Sequence, residues 1–285
     1  MFLESKRRGE VFGLFLSSAV INNPDYTMDK INTVARLLRY KHDFRGYIHL
    51  KIIPGASDAA IEDALSLASA VSLNIETPGG KHFEMLSGKK DYEKDIVRPM
   101  KLMSRLTGKG MKLSRVKCTT QFIVGASDET DSEIIDSVFD LYERLRFKRV
   151  YFSAYQKGLG DPNIPGERHF LSNPGEHFMR EHRLYQVDFL VRKYGFSRKD
   201  ILVDGSGKLR LDKDPKQLWA ERHPDFYPVR INSSDRATLL RVPGFGPDTV
   251  KKILAMRRER NISRFEEIGI KGKRLENALR YVIFE

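Results

Sequence analysis

The 285-residue sequence has one cysteine, one tryptophan and no long apolar run. The single cysteine, Cys118, cannot form an internal disulfide, and it excludes a metal or iron–sulfur site built from several cysteines of this chain. Such low cysteine usage is typical of proteins in a reducing compartment, so we expect a cytoplasmic location. The longest apolar stretch, residues 11–21, is shorter than the roughly 20 residues that span a membrane. The first residues also lack the apolar segment of a secretion signal.

Acidic residues are outnumbered by basic ones. The chain has 50 Lys and Arg against 38 Asp and Glu, a net charge of +12. Residues 230–285 contain 13 basic and 7 acidic residues, so half of the excess lies in this segment. A basic surface attracts a polyanion, and nucleic acid is the usual partner. Many soluble proteins are basic without binding nucleic acid, so the charge indicates only a class of partner.

Short apolar runs alternate with amphipathic helical patterns through residue 157. The predicted strands are residues 13–20, 46–53, 71–76, 118–125 and 149–155. Apolar residues at helical spacing predict helices around 28–38, 60–68 and 134–145, the last capped by Asp131 or Ser132. Strands that alternate with crossover helices form a parallel sheet, either an open doubly wound sheet or an arc of a barrel.

Polar and small residues follow each predicted strand. They are Ser17 and Ser18, residues 54–55, Asn74 and Glu76, residues 125–130 and residues 153–156. The carboxyl ends of the strands are where parallel α/β sheets bind ligands. The pattern therefore favours a barrel arc with a ligand site along this edge. Each residue taken alone is equally typical of an ordinary turn between a strand and a helix.

The middle of the chain is a predicted connection between two parts. Residues 158–175 are rich in Pro and Gly, which predicts a long functional or connecting loop, and a helix is predicted over 175–194. Residues 200–229 are predicted to be irregular, with Trp219 as an anchor. His177 and His182 are five positions apart and would not share a helical face, so no metal site is predicted there.

The C-terminal segment has the pattern of two helices joined by a tight turn. Residues 237–258 read ATLLRVPGFGPDTVKKILAMRR, in which Pro and Gly interrupt two helical runs and the second run starts near Asp248 or Thr249. Gly244 and Gly246 would let the backbone approach a phosphate, and free N–H groups at the start of the second helix would hold it. Phe245 would be a core residue of the turn, and Lys251 and Lys252 could reach phosphates too.

This pattern resembles the helix–hairpin–helix DNA-binding motif. The predicted DNA-binding residues are Pro243, Gly244, Gly246, Thr249, Lys251 and Lys252. A second pair of helices, around 265–269 and 275–283, is predicted to pack on the first. The alternative is a plain packing unit of helices ended by Gly and Pro. Contacts to the nucleic-acid backbone are insensitive to base sequence and weakened by salt. This pattern therefore does not distinguish DNA from RNA as the partner.

Along most of its length the sequence resembles the radical S-adenosylmethionine (SAM) proteins that end in a helix–hairpin–helix, a family described as DNA modification or repair proteins. The resemblance rests on GLFLSSAVINNPDYTM, FRGYIHLKIIPGAS, VSLNIETP, TTQFIVGASDET, VYFSAYQ, LDKDPKQLWAERHPDFYPVRIN and LLRVPGFGP. It implies a partial (β/α)6 barrel, SAM bound across the strand ends, and a [4Fe–4S] cluster held by a C-x-x-x-C-x-x-C loop after the first strand.

The resemblance also implies which residues contact the cofactor. Ser17 and Ser18 match the place of a G-G-E run, and Asn74 and Glu76 match polar residues at a strand end. Gly125 and Glu129 resemble a G-x-x-x-E-T turn, and Ser153 to Gln156 match the adenine-side edge. The implied cofactor residues are thus Ser17, Ser18, Asn74, Glu76, Gly125, Glu129, Ser153 and Tyr155.

The sequence departs from the family at the cluster motif, because no C-x-x-x-C-x-x-C occurs in it. Five strands are predicted where the family has six, so the chain looks like the family without its first strand. We therefore expect an α/β fold, a partial (β/α) barrel over 1–157, a connecting region over 158–229 and an all-α helix–hairpin–helix domain over 230–285. The exposed sheet edge would be covered by a strand of another polypeptide or by the N-terminal helix, or it would leave the protein marginally stable.

Three interpretations of function follow. In the first, the chain is the C-terminal portion of a radical SAM enzyme acting on DNA, and an upstream segment or a partner chain supplies the cluster cysteines. In the second, it is a non-catalytic DNA-binding protein whose barrel serves as a scaffold. In the third, it is an unrelated barrel enzyme that uses Glu76 with Glu129, although their spacing shows no acid/base pair.

Overall fold

The structure is a computed structural model that describes residues 1–158, 161–168 and 175–285. Part of the predicted loop over 158–175, namely 159–160 and 169–174, therefore lies outside the described residues. No helix of the described residues is both long enough and apolar enough to cross a membrane.

The chain divides into two compact units. We call Met1–Glu129 with Asp136–Glu181 the sheet unit, and Thr130–Ile135 with His182–Glu285 the C-terminal unit. The boundary predicted at residue 157 falls inside the sheet unit, and the boundary predicted at 229 falls inside the C-terminal unit. The sheet unit thus continues beyond its last strand and includes the first turns of the helix Gly175–Tyr194.

The sheet unit contains five parallel strands in sequential order. They are β1 (Gly13–Leu16), β2 (Tyr47–Lys51), β3 (Ala70–Ser72), β4 (Lys117–Val124) and β5 (Arg149–Ala154). All five predicted strands are confirmed, and β1 and β3 are about half as long as predicted. A doubly wound sheet reverses its strand order at a switch point, and this sheet has no such reversal. Because crossovers between parallel strands are almost always right-handed, this strand order places the crossover helices on one face of the sheet.

The two faces of the sheet differ in polarity. In β2, Ile48 and Leu50 are fully buried. The residues that alternate with them, Tyr47, His49 and Lys51, are exposed or partly exposed. The parallel register pairs like positions across the sheet, such as Leu50 with Val71 and Phe122 with Phe152. Because side chains alternate along a strand, the buried positions form one apolar face under the helices. The opposite face carries the polar residues.

The helices of the described residues begin and end at recognisable signals. Asn23 and Ser57 cap the second and third helices by accepting N–H bonds from Tyr26 and Ala60. The helices described within residues 1–194 are α1 (Phe2–Arg7), α2 (Pro24–Arg36), α3 (Asp58–Leu67), α4 (Gly80–Glu84), α5 (Arg98–Leu106), α6 (Asp131–Glu143), α7 (Pro165–Arg168) and α8 (Gly175–Tyr194). Short π-helical turns occupy Leu37–Lys41 and Glu93–Val97.

Two of these helices test the sequence patterns directly. The helix predicted over 175–194 is confirmed as α8. Helix α6 begins at Asp131, so its cap is Thr130 and not Asp131 or Ser132 as predicted. Thr130 Oγ1 accepts the N–H of Glu133 at 3.2 Å, and Glu133 Oε2 accepts the N–H of Thr130 at 2.8 Å. This reciprocal pair is a capping box, which a Thr followed by Glu three positions later signals.

The N-terminal helix does not add a strand to the sheet. In α1, the ring of Phe2 packs edge-on against Phe44, with 5.2 Å between centroids, on the segment that precedes β2. Strand β1 is paired with β2 alone, so no strand of the described residues covers its outer edge. Phe12, which precedes β1, and Phe15, on the polar face of β1, are both exposed.

The C-terminal unit is mostly helical. Its elements are α9 (Pro215–Arg222), β6 (Val229–Arg230), α10 (Arg236–Arg241), α11 (Pro247–Met256), α12 (Phe265–Ile268), α13 (Lys273–Leu279) and β7 (Val282–Ile283), with 3-10 turns at Arg198–Asp200 and Pro224–Phe226. Strands β6 and β7 pair in parallel. The helix predicted over 275–283 therefore ends at Leu279, because the chain then extends to pair with β6.

Helix α9 contradicts the prediction that residues 200–229 are irregular. It lacks an amphipathic pattern because Lys216, Leu218, Trp219 and Ala220, which point in different directions, are all buried. The missed signal is Asp214 followed by Pro215. Asp214 accepts N–H bonds from the first turn, and Pro215 occupies the first helical position, which suits its missing N–H. Trp219 is buried, as its predicted role as an anchor requires.

Candidate functional site

The carboxyl ends of the five strands lie along one edge of the sheet, because parallel strands all run in one direction. We call this edge the strand-end rim. All eight predicted cofactor residues lie at or just beyond the strand ends. Ser17 and Ser18 follow β1, Asn74 and Glu76 follow β3, Gly125 and Glu129 follow β4, and Ser153 and Tyr155 end β5. The fold thus brings residues that are far apart in sequence to one edge.

Lys51, Asn74 and Glu76 form a hydrogen-bonded cluster at the rim. Lys51 Nζ donates to Asn74 Oδ1, and Asn74 Nδ2 donates to Glu76 Oε2 at 3.5 Å. Burial raises the pKa of the Glu76 carboxyl, against the opposing effect of the Lys51 charge. Burial likewise lowers the pKa of the Lys51 amine, against the effect of Glu76. The cluster therefore presents a cation and a carboxylate whose charges are both disfavoured by their surroundings.

The backbone of Glu76 is held in an unusual conformation. Its φ of 65° lies in the left-handed region that few non-glycine residues adopt. Its N–H donates to the Gln121 carbonyl at 3.0 Å, and its own carbonyl accepts from the Ile123 N–H at 2.8 Å. These two bonds to β4 stabilise the conformation and fix where the carboxylate lies. Residues held this way are concentrated at functional sites.

His49 lies on the same polar face of β2, two residues before Lys51. Burial, followed by the Lys51 charge, lowers the pKa of its imidazole to about 4. Its Nε2 atom is buried and has no hydrogen-bond partner among the described residues. Phe15 packs edge-on against its ring, with 4.7 Å between centroids. At neutral pH this ring is an uncharged hydrogen-bonding group beside the Lys51 cluster.

His49 and Lys51 are not among the site residues that the sequence predicts. The signal was the alternation in Tyr-Ile-His-Leu-Lys, which places Tyr47, His49 and Lys51 on the face opposite Ile48 and Leu50.

Glu129 is committed to the turn that follows β4. Its carboxylate accepts the N–H groups of Gly125 at 2.7 Å and Ser127 at 3.1 Å, and it pairs with Arg180 at 3.1 Å. Its side chain is 1% exposed. Glu129 therefore shapes the turn, and it has no exposed oxygen with which to contact a ligand or to act with Glu76 as an acid/base pair.

Tyr155 and Ser18 are also held by neighbours in the same region. The Tyr155 hydroxyl donates to Glu167 Oε1 at 2.7 Å, and burial together with this carboxylate raises the pKa of Tyr155 to about 12. The Ser18 hydroxyl donates to the carbonyl of Ala19 at 2.7 Å. Ser17 is exposed, and Ser153 is partly buried on the polar face of β5.

Cys118 does not lie at the rim. It is 3% exposed near the start of β4, with Thr107 Oγ1 at 3.5 Å from its sulfur. Burial raises the pKa of its thiol, whereas a cluster ligand must be a thiolate. The residues of this chain therefore do not fit a [4Fe–4S] cluster. No group of three or more His, Cys, Asp or Glu that could hold a metal ion is found within 1–158, 161–168 and 175–285.

The second candidate site is the hairpin formed by α10, α11 and the turn between them. Phe245 is 1% exposed and packs in the core of the C-terminal unit, as predicted for the centre of the turn. Helix α11 begins at Pro247, before the start predicted near Asp248 or Thr249, and Gly246 is its N-cap. No side chain of the described residues caps this helix, so its first N–H groups are open to an anion.

The two glycines of the turn have different roles. Gly244 has a φ of +83°, and a Cβ atom there would lie 2.2 Å from the carbonyl oxygen of Arg274. Gly244 is therefore required by the packing of the turn against the start of α13. Gly246 has an ordinary φ of −107°, and a Cβ atom there would make only a 3.4 Å contact with Tyr194 Oη.

A buried lysine stabilises the turn between α10 and α11 by a hydrogen bond. Lys216 in α9 is 7% exposed, and its Nζ donates to the carbonyl of Phe245 at 2.6 Å. The same Nζ lies 4.6 Å from the centroid of the Tyr194 ring. Burial lowers the pKa of Lys216 to about 7. No pattern in the sequence marks this contact, because the two partners are far apart along the chain.

The predicted DNA-binding residues differ in exposure. Lys251 and Lys252 are exposed on α11, Thr249 and Gly246 are partly exposed, and Pro243 is buried. Pro243 therefore supports the turn from within the core and cannot itself reach DNA. Asp248 is an exposed acid in the first turn of α11, where it stabilises the helix dipole and would repel a phosphate.

In comparisons with known proteins, no family model and no curated protein sequence matches this chain. The fold therefore defines the class of protein: a mixed α/β protein with a five-strand parallel sheet in sequential order and a mainly helical C-terminal unit. Its particular features are a polar cluster at the strand-end rim and a glycine-containing turn before an uncapped helix.

Proposed function

We propose that this chain binds DNA through the turn between α10 and α11, and that it acts in DNA modification or repair as part of a radical SAM-type protein. The observation that carries DNA binding is the N-terminus of α11. It has no side-chain cap, it follows a glycine-containing turn, and Lys251 and Lys252 are exposed one turn further on. Open N–H groups and nearby lysines are what a backbone phosphate binds.

The strand-end rim is the proposed site for SAM. SAM carries a carboxylate that pairs with a cation, an ammonium group that needs acceptors, and ribose hydroxyls that need both acceptors and donors. Lys51, Asn74 and Glu76 supply these chemistries within one hydrogen-bonded cluster, and His49 adds an unpartnered nitrogen beside it. When bound, SAM supplies an activated carbon group next to its sulfonium. The [4Fe–4S] cluster does not fit this chain, so cysteines of another segment or a partner chain would have to hold it.

DNA binding is tested by the dependence of affinity on salt. We expect the chain to bind duplex DNA, with log Kd rising linearly with log salt concentration because bound lysines release counterions. Replacing both Lys251 and Lys252 with Ala should lower the slope by about 2, since each phosphate contact contributes about 0.9. Fluorescence anisotropy of a labelled duplex measures this slope, and an RNA duplex of the same sequence compares the two nucleic acids.

Two matched variants sharpen this test. Lys112→Ala removes an exposed lysine of the sheet unit and should leave the slope unchanged. Asp248→Asn should increase affinity at low salt, because it removes a like charge beside the phosphate site. A slope that stays the same when Lys251 and Lys252 are replaced would contradict the assignment of the hairpin.

A single observation favours the alternative of a non-catalytic DNA-binding protein. Cys118, the one cysteine of the chain, is buried away from the rim. The two proposals differ in whether the rim binds SAM, and calorimetric titration with SAM distinguishes them without any cluster. The first predicts binding that weakens at least tenfold in Lys51→Met and in Glu76→Gln, because each removes a charged contact. Absence of binding to the native chain would favour the scaffold.

A further inference from the structure

The C-terminal unit contains a cleft beside the DNA-binding turn that neither proposed site uses. The cleft has a volume of about 490 Å³, within the range of small-molecule sites. It is lined by His182, Tyr185, Gln186, Phe189, Leu190, Tyr194, Asp214 and Lys216. The first six of these recur at spacings of three, four or one along α8, so they form one stripe of that helix.

Three aromatic rings line the cleft. They belong to Tyr185, Phe189 and Tyr194, and Phe189 is 46% exposed although it is a large apolar residue. Aromatic faces bind nucleobases by stacking, and this interaction tolerates every base because each has a π-face. The aromatic content of the cleft thus suits the flat face of an unpaired base.

Polar groups at the wall of the cleft are held in fixed positions. Gln186 Nε2 donates to Asp214 Oδ2 at 2.6 Å, and Gln186 Oε1 accepts from Arg183 at 2.7 Å. Asp214 also caps α9, which carries Lys216. The wall that supports the aromatic rings is therefore preorganised.

The cleft adjoins the turn that would hold the phosphate. Lys216 lines the cleft and donates to the carbonyl of Phe245, the central residue of the turn. Tyr194 also lines the cleft, and its hydroxyl would lie 3.4 Å from a Cβ atom at Gly246. A nucleotide whose phosphate rests on the N-terminus of α11 would therefore have its base within reach of Tyr194.

From this juxtaposition we infer that the cleft binds one unpaired nucleobase of the DNA strand whose backbone is held by the hairpin. The inference rests on the proposed function, since it requires DNA at the turn. The substrate class is therefore DNA that contains a bulged, flipped or single-stranded nucleotide. Fully paired duplex would occupy the turn alone.

The test compares two duplexes that differ by one unpaired 2-aminopurine. The native chain should bind the bulged duplex roughly tenfold more tightly than the paired one, as expected for one base stacked on aromatic rings. Stacking should also quench the fluorescence of the 2-aminopurine. Phe189→Ala and Phe189→Leu should both abolish the preference and the quenching while leaving the affinity for paired duplex unchanged. Leu keeps an apolar side chain, so it separates loss of the ring from loss of packing.

Phe178→Ala is the matched control, because Phe178 is on the same helix, is 59% exposed and does not line the cleft. It should retain both the preference and the quenching. Equal affinity of the native chain for the two duplexes, or quenching that persists in both Phe189 variants, would overturn the inference and leave hairpin binding intact. Failure to bind either duplex would instead overturn the proposed function, and the inference with it.

Discussion

At the scale of single residues, Lys216 shows how burial can give an ordinary side chain an unusual titration. Its amine is removed from water, and Asp214 offsets this only in part, so its pKa falls to about 7. The neutral amine can still donate to the Phe245 carbonyl, because a deprotonated lysine keeps two N–H groups. Lys216 thus supports the turn between α10 and α11 in either protonation state, but it does so at a cost in stability when charged.

We predict that the stability of the C-terminal unit increases with pH because of Lys216. Between the folded value near 7 and the unfolded value of 10.5, the unfolded chain carries the proton and the folded chain does not. The free energy of unfolding should therefore rise by about 1.4 kcal/mol per pH unit from this group across that window, and not below it. Urea unfolding at several pH values, followed by Trp219 fluorescence, measures the slope.

Lys216→Met should reduce this slope by the same amount, whereas Lys193→Met, which replaces an exposed lysine of the same unit, should not. Comparing slopes cancels the titration of other groups and any constant loss of stability. If the native chain and Lys216→Met had parallel pH profiles, the pKa of Lys216 would not be lowered.

At the scale of elements, the hairpin is a turn whose two glycines meet different physical demands. Gly244 adopts a left-handed conformation and touches the backbone of Arg274, so it is required for folding. Gly246 is the cap of α11 in an extended conformation that any residue adopts. A similar distinction holds at the rim, where Glu129 organises a turn while Glu76 has no such set of backbone donors.

We predict that substitutions at the two glycines separate stability from DNA binding. Gly244→Ala should destabilise the C-terminal unit by about 2 kcal/mol or more, through strain at positive φ and the contact with Arg274. Gly246→Ser should leave stability unchanged or raise it by a few tenths of a kcal/mol, because Ser is a good N-cap. The same serine would occupy the N–H groups that a phosphate needs, so DNA affinity should fall.

Urea unfolding and fluorescence anisotropy on the same two variants measure both effects. Binding of paired DNA by Gly246→Ser with native affinity would show that the N-terminus of α11 does not hold the phosphate. A stable Gly244→Ala protein would contradict the contact between the turn and α13.

At the scale of the whole molecule, the distribution of charge separates the tail from the rest of the chain. Half of the net +12 lies in residues 230–285, and this segment also contains the proposed DNA-binding turn. Trp219, the one tryptophan of the chain, is buried in the same unit and so reports on the unfolding of that unit alone.

We predict that duplex DNA raises the thermal midpoint detected by Trp219 fluorescence at low salt. A ligand that binds only the folded state adds about 2.7 kcal/mol at one hundred times its Kd. The increase should disappear at high salt, because the interaction depends on released counterions. Polyglutamate at an equal concentration of charge is the control, and an equal increase with this polymer would indicate attraction to any polyanion rather than binding at the turn.

The sequence by itself determined the local elements of this protein, because their signals lie within a few residues of one another. Short apolar runs located all five strands, helical spacing located α2, α3 and α6, and the glycine–proline turn located the hairpin. The sequence did not determine α9 or the pairing of β6 with β7. Helix α9 is buried on several sides and so lacks a period, and a two-residue strand has no pattern to recognise.

Only the tertiary structure decided which side chains meet. The parallel register of β2 with β3 places Lys51 beside Asn74 and Glu76, and the packing of α9 places Lys216 under Phe245. It also showed that Glu129 is enclosed by its own turn, although the family resemblance implies that it contacts the cofactor. These contacts join residues that are distant in sequence, and they form because burial of the apolar sheet face and helix faces fixes the elements against one another.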